Sequence, residues 1–132
     1  MILDTSALIA ILQGEADAER FAAAIADAES VSISAATLLE FHLVADRARN
    51  PAARGRADDL LRRTGATIAP FTAEHAAIAR QAHRDYGRGS GHPARLNLGD
   101  CFAYALARAT AEPLLYKGDD FVHTDVRSAM RD

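Results

Sequence analysis

Long apolar runs are missing from this chain, and so is any excess of basic charge. No apolar stretch approaches the roughly 20 residues needed to cross a bilayer, so no membrane partner is expected. At the N-terminus Asp4 breaks the apolar run Met1-Ile2-Leu3 at once and no basic residues precede it, so no secretory signal peptide is expected. A single cysteine, Cys101, cannot form an internal disulfide, which fits a reducing cytoplasm. The formal net charge is −3, which argues against a general nucleic-acid binder. It does not exclude a nuclease, whose acidic metal ligands themselves lower the net charge. The five histidines (His42, His75, His83, His92, His123) contain no His-x-His or His-Glu-x-x-His spacing, so they read as surface or partly buried groups. Cys101 lacks a catalytic partner motif and reads as a buried structural thiol. Repeats, linkers and low-complexity tracts are also absent.

What is present suits an ordinary globular domain. The chain has 132 residues, 49% hydrophobic and 25% charged, enough for one domain over residues 1–132 with a real core. Short strands are expected at residues 1–4, at Val31 and Ile33, at 67–69, at 114–116 and at 124–126. Helices are expected between them. Thr5-Ser6 can cap the first, through Leu12, and a second runs through Glu19 to Ala28. Ser34 can cap a third, from about Ala36 to Arg49, which Asn50-Pro51 stops. Further helices run from Ala52 to Arg63, from a Thr72 cap through Tyr86, and from Leu98 to Thr110, which Asn97 can cap, the last with Phe102, Leu106 and Ala109 as its apolar face. Alternating strands and helices argue for an α/β domain with a largely parallel sheet. In such sheets, sites form beyond the carboxyl ends of the strands.

Carboxylates stand at those places. Asp4 ends the first apolar run; Asp119 and Asp120 follow Leu114-Leu115-Tyr116; Glu40 and Asp100 lie in the opening turns of two helices. Each has an ordinary structural reading, as a turn cap or as an acid favoured by a helix dipole. Gathered together they would not be ordinary. Two carboxylates about 4 Å apart repel by roughly 4 kcal/mol at an effective dielectric near 20, so such a cluster needs a cation or must take up protons. Oxygen-only ligation favours Mg²⁺, with Mn²⁺ also suited. Such an ion supports phosphodiester hydrolysis.

The loop Gly87 to Pro93 follows a helix and lacks a Gly-Lys-Ser/Thr ending, so it reads as mobile rather than as a phosphate cradle. Arg80, Arg84 and Arg88 are spaced i, i+4, i+8 and would share one face if the helix extended that far. They are candidate RNA-phosphate contacts, as is Lys117 beside the acidic turn. A second basic cluster, Arg47 to Arg63, is diluted by Asp46, Asp58 and Asp59.

Four segments carry a family resemblance: Met1-Ile2-Leu3-Asp4-Thr5-Ser6-Ala7; Ser34 through Glu40; Leu96-Asn97-Leu98-Gly99-Asp100-Cys101-Phe102 through Ala107; and Pro113 through Phe121, with a closing Thr124-Asp125-Val126. In order and spacing the chain resembles a PIN-domain ribonuclease, and more narrowly a VapC-type toxin of a bacterial toxin–antitoxin pair. The resemblance implies a PIN-like three-layer sandwich with a central, mostly parallel sheet flanked by helices. It implies Mg²⁺-dependent cleavage of RNA that inhibits growth unless a cognate VapB-type antitoxin neutralises it. It further implies a homodimer, whose seam would be an apolar helix face between Ala36 and Arg63. Asp4, Glu40 and Asp100 match the family's metal-binding acids, and Thr5 and Ser6 match small polar residues that orient them. The family often carries its fourth acid one residue earlier relative to the Asp-Phe pair, where this chain has Gly118. Asp119 is therefore the expected fourth acid and Asp120 a structural residue.

Two other classes compete. A receiver-like signalling domain also combines strand-end acids with a late lysine, as Asp4 and Lys117 suggest. It needs a phospho-acceptor aspartate ending a central strand, and Val31–Ser34 offers serines. A non-catalytic PIN-like binding module would have little reason to keep mutually repelling acids, and need not bind metal.

Overall fold

Strand β1 is only Ile2–Leu3, yet both side chains are completely enclosed. A two-residue strand persists because it is paired on both sides. The sheet order is β3-β2-β1-β4, every pairing parallel, with Ile2 opposite Ser32 of β2 (Ser32–Ser34) and opposite Leu114 of β4 (Leu114–Leu115). β3 (Thr67–Ala69) forms the far edge. The computed structural model describes residues 1–130.

Alternate strand residues face opposite layers. Ile2 and Leu114 pack under α5 (Ala73–Tyr86) and α6 (Leu98–Thr110). Leu3, Ile33 and Leu115 pack on the other side, against α1 (Thr5–Leu12), α2 (Ala18–Asp27), α3 (Ala35–Asp46) and α4 (Pro51–Thr64). This is the three-layer sandwich with a parallel sheet. The continuous apolar character of β1 and β4 is what a strand covered on both faces requires. Among the described residues, no helix is long and apolar enough to cross a membrane.

Several boundaries differ from the sequence reading. The cap of α1 is Asp4, whose carboxylate accepts from the Ser6 N–H, and Thr5 is already helical. Strand and helix are therefore joined with no loop. α3 ends at Asp46, three residues before Arg49; Asn50 then caps α4, with Pro51 in its first turn. Proline suits that position because the N–H it lacks would have no helical partner there. Glu40 lies in the second turn of α3 rather than the first.

Thr124 to Val126 is not a strand. The Thr124 hydroxyl donates to the Phe121 carbonyl at 2.7 Å and Tyr104 donates to Asp125 at 2.7 Å, which holds the segment in turns. The edge of β4 is met slightly later, by a bridge from Leu114 to Ser128. Ala109 is exposed, not part of the apolar face of α6. That helix is instead enclosed all round over Ala103–Ala107, where four small or medium side chains and Tyr104 let it sit tightly between the sheet, α5 and α3. His75 is buried too, with Nδ1 unpaired.

Candidate metal centre at the strand ends

Parallel strands point their carboxyl ends the same way, so β1, β2 and β4 deliver their following segments to one rim. Asp4 leaves β1 there and is 4% exposed. Its N–H donates to the Leu115 carbonyl of β4 at 3.0 Å. Its carboxylate accepts from Ser6 twice, from N–H at 3.0 Å and from Oγ at 2.5 Å. The Ser6 Oγ in turn accepts from the Lys117 N–H at 2.9 Å. One hydroxyl thus ties the ends of β1 and β4 together and fixes the Asp4 carboxylate between them.

Glu40 arrives on α3. Its Oε1 accepts from the Thr5 hydroxyl at 2.6 Å, so the two residues after Asp4, Thr5 and Ser6, each hold one acid. Asp100 is the third residue of α6 and half of a capping box: it accepts from the Asn97 N–H at 3.0 Å and donates its own N–H to Asn97 Oδ1 at 2.9 Å. The helix N-terminus favours its ionised form.

The fourth carboxylate near this rim is Asp120. Its side chain reaches hydrogen-bonding range of Asp100, and its charge acts on both Asp100 and Asp4. Asp119, the residue the sequence favours, is exposed in the same turn, as Asp120 is, but is not among the groups acting on either acid. The turn begins at Gly118, whose φ of +94° suits glycine, and it is anchored by Phe121, buried against Tyr116 with ring centroids 5.1 Å apart. Asp120 adjoins that anchor; Asp119 lies one residue further out.

Electrostatics record the crowding. Burial pushes the Asp4 carboxyl up to about 6, against the lowering effect of both Ser6 hydrogen bonds; the charges of Glu40 and Asp120 act in the same direction as burial. Burial pushes Asp100 up to about 7, against the Asn97 N–H, with Asp4 and Asp120 again raising it. All donors are carboxylate oxygens, which fits a hard divalent ion. Among the described residues, no three acids stand close enough to hold an ion as they are.

Sequence reasoning missed Gly99. A β-carbon there would fall on the Glu40 carboxylate, so glycine lets α6 and α3 meet with Glu40 held between them. Gly99→Ala should push that carboxylate off its Thr5 bond. The expected result is a 10- to 100-fold loss of activity, the range seen for residues that orient ligands, with little change in melting temperature because alanine favours helix. Full activity in the variant would refute the assignment.

Other candidates fall elsewhere. The Lys117 ammonium pairs with Glu15 at 3.4 Å and Asp17 at 3.8 Å, so it is tied to the α1–α2 connection. α5 stops at Tyr86, leaving Arg88 in the following loop and off the face of Arg80 and Arg84. That loop is fastened at its base, with Arg88 N–H donating to the Leu96 carbonyl at 3.0 Å. Cys101 is buried, which pushes its thiol up to about 11 and makes it a poor nucleophile.

The fold and this rim of acids match known proteins. Residues 1–127 match the PIN domain family, and the chain belongs to it. It is 49% identical to Ribonuclease VapC28 of Mycobacterium tuberculosis over 130 residues, covering 98% of each chain, and 47% identical to Ribonuclease VapC42 of the same species over 129 residues, also 98% of each; it stands among the VapC ribonucleases. Two solved structures share the fold. One is a toxin–antitoxin complex from Klebsiella pneumoniae (TM-score 0.71, 20% identity, 99% of this chain and 98% of that one). The other is M. tuberculosis VapC20, a sarcin–ricin loop cleaving toxin (TM-score 0.68, 21% identity, 96% and 98%).

Proposed function

We propose that this protein is a metal-dependent endoribonuclease toxin whose centre is Asp4, Glu40, Asp100 and Asp120. The observation that carries the reading is the convergence of these acids, two of them buried with raised proton affinity, at the strand ends of a VapC-type PIN fold. The receiver and pure binding alternatives lose their basis with the family match. Mg²⁺ or Mn²⁺ held by these carboxylates would polarise the scissile phosphate and lower the pKa of a bound water. The chain's own residues prepare that step. Ser6 holds Asp4, Thr5 holds Glu40, and Asn97 holds Asp100.

Arg84 and Arg88, both exposed, supply phosphate contacts in this reading, while Lys117 is already engaged by Glu15 and Asp17. A cognate VapB-type antitoxin restrains the enzyme in the cytoplasm. A homodimer is built on α3, where Leu39 and Leu43 are 59% and 55% exposed one turn apart. Sedimentation equilibrium checks this: Leu43→Asp should run as a monomer where the unmodified chain runs as a dimer, and two identical profiles would remove α3 from the seam.

The deciding experiment is cleavage of total cellular RNA by purified protein, with Mg²⁺ or Mn²⁺ against EDTA. Discrete metal-dependent fragments are expected. Asp120→Asn should abolish them and Asp119→Asn should leave most of the activity. The reverse pattern would move the fourth ligand to Asp119, and intact RNA from folded protein under every condition would overturn the ribonuclease reading.

A further inference from the structure

The first turn of α6 has two sides. Gly99 and Asp100 are buried toward the acids, while Leu98 between them and Asn97 is 70% exposed, the most exposed large apolar residue described. Leu98, Cys101 and Phe102 follow the i, i+3, i+4 spacing of one helix face. They form a wall of a groove of about 490 Å³ whose other wall is α5. Phe71 closes one end, edge-on to Phe102 with ring centroids 5.3 Å apart. None of the four acids lines the groove, but Leu98 and Cys101, which do, flank Gly99 and Asp100 in the opening turn of α6, so that end of the groove lies within one helical turn of Asp100.

Its rim is basic. Arg80 and Arg84 line it, one turn apart, and no acidic side chain does. Some arginines are neutralised, Arg20 by Asp17, Arg54 by Asp46, Arg62 by Asp59 and Arg108 by Asp125, while others, such as Arg47, Arg56, Arg63 and Arg95, make no ion pair among the described residues but line no apolar groove with a second arginine one turn away. Arg80 and Arg84 are exposed and make no ion pair among the described residues. In a protein of net charge −3, an uncompensated arginine pair over an apolar floor suits a ligand with a flat apolar face and attached anions. A nucleotide in a strand has both.

We propose that the α5–α6 groove is the subsite for a nucleotide beside the scissile phosphate, its base against Leu98 and Phe102 and its neighbouring phosphates at Arg80 and Arg84. This rests on the ribonuclease reading and adds to it. A base lying there must be out of any helical stack, so the enzyme cuts at single-stranded or loop positions. An apolar floor grips any base face, which gives affinity and shape preference rather than a strict letter code.

The test uses a short single-stranded oligonucleotide spanning an end-mapped cut, intact or with an abasic nucleotide on either side of it. For the unmodified protein, one of the two abasic substrates should show KM raised about five- to a hundredfold, the range for losing one stacked base, with kcat nearly unchanged. Leu98→Ser, at an exposed position that leaves the core intact, should raise KM for the intact substrate similarly and lose the distinction between intact and abasic. Arg80→Gln/Arg84→Gln should raise KM and reduce the salt slope of binding by about two. Metal-dependent cleavage that ignores the abasic sites and these variants would overturn the subsite while leaving the ribonuclease standing, and would leave the groove to a protein partner. No cleavage by the folded, unmodified protein would overturn both.

Discussion

Asp100→Asn should lower RNA cleavage by roughly a thousandfold or more while the fold survives, with a melting temperature at or above that of the parent at pH 8. The two halves have one cause. The carboxylate sits buried beside Asp4 and Asp120, and its proton affinity is raised to about 7. An amide keeps an oxygen to accept from the Asn97 N–H, so the cap of α6 remains, but it brings no charge to a cation. Losing one ligand from a site that stabilises transition-state charge removes several kcal/mol, and about 4 kcal/mol is a thousandfold. Cleavage assays beside thermal melts check both halves. A variant that cuts RNA at the parent's rate would sink the assignment of the centre.

Without metal, Asp4 and Asp100 should cost the protein stability steadily as the pH rises from about 4 to 7, so it should be clearly weaker at pH 8 than at pH 5. The folded-state values for Asp4, about 6, and Asp100, about 7, both lie above the ordinary 3.8. Near pH 3.8 and below, folded and unfolded chains both hold these protons, and the two groups contribute no slope. Between there and pH 7 the folded chain holds more protons than the unfolded one, so unfolding becomes easier as pH rises. The slope vanishes above the folded values. At ~1.4 kcal/mol per unit for each group, the loss is several kcal/mol, on the order of 10 °C in melting temperature. Mg²⁺ or Mn²⁺ should restore most of it at pH 8 and little at pH 5, where protons compete for the same oxygens. Melts across this range with EDTA or metal measure it; a flat profile indifferent to metal would mean the acids do not confront one another.

The sheet was readable because its signals are local. Met1-Ile2-Leu3 and Leu114-Leu115 are uniform apolar runs, and Ser34, Thr72 and Asn97 cap the helices the sequence assigned to them. Where the outcome depended on contacts between distant segments, the sequence was silent. Thr124 to Val126 has strand-like composition, but Tyr104, twenty-one residues away, takes Asp125 as its partner. Ala109 has the right period for the face of α6, yet the burial of that helix ends at Ala107. The proposal of Asp120 over Asp119 turns on one residue in a turn, a difference that composition does not mark. Gly99 gave no signal beyond being glycine, since its meaning lies in the carboxylate that approaches from α3.

The parallel pairing of β1 with β4, Ile2 against Leu114, has a bearing on how the protein is made. Synthesis runs from the N-terminus, so Asp4 and Glu40 emerge early, but the strand that brackets Asp4 on one side and the turn bearing Asp120 come in the last fifth of the chain. Closing so long a loop is slow compared with forming local helices. A chain still lacking β4 and the turn after it has Asp4 without its Leu115 partner and Asp100 without Asp120, so the proposed centre is assembled only once that segment has emerged and folded. A product cut short before β4 is expected to lack ribonuclease activity for the same reason.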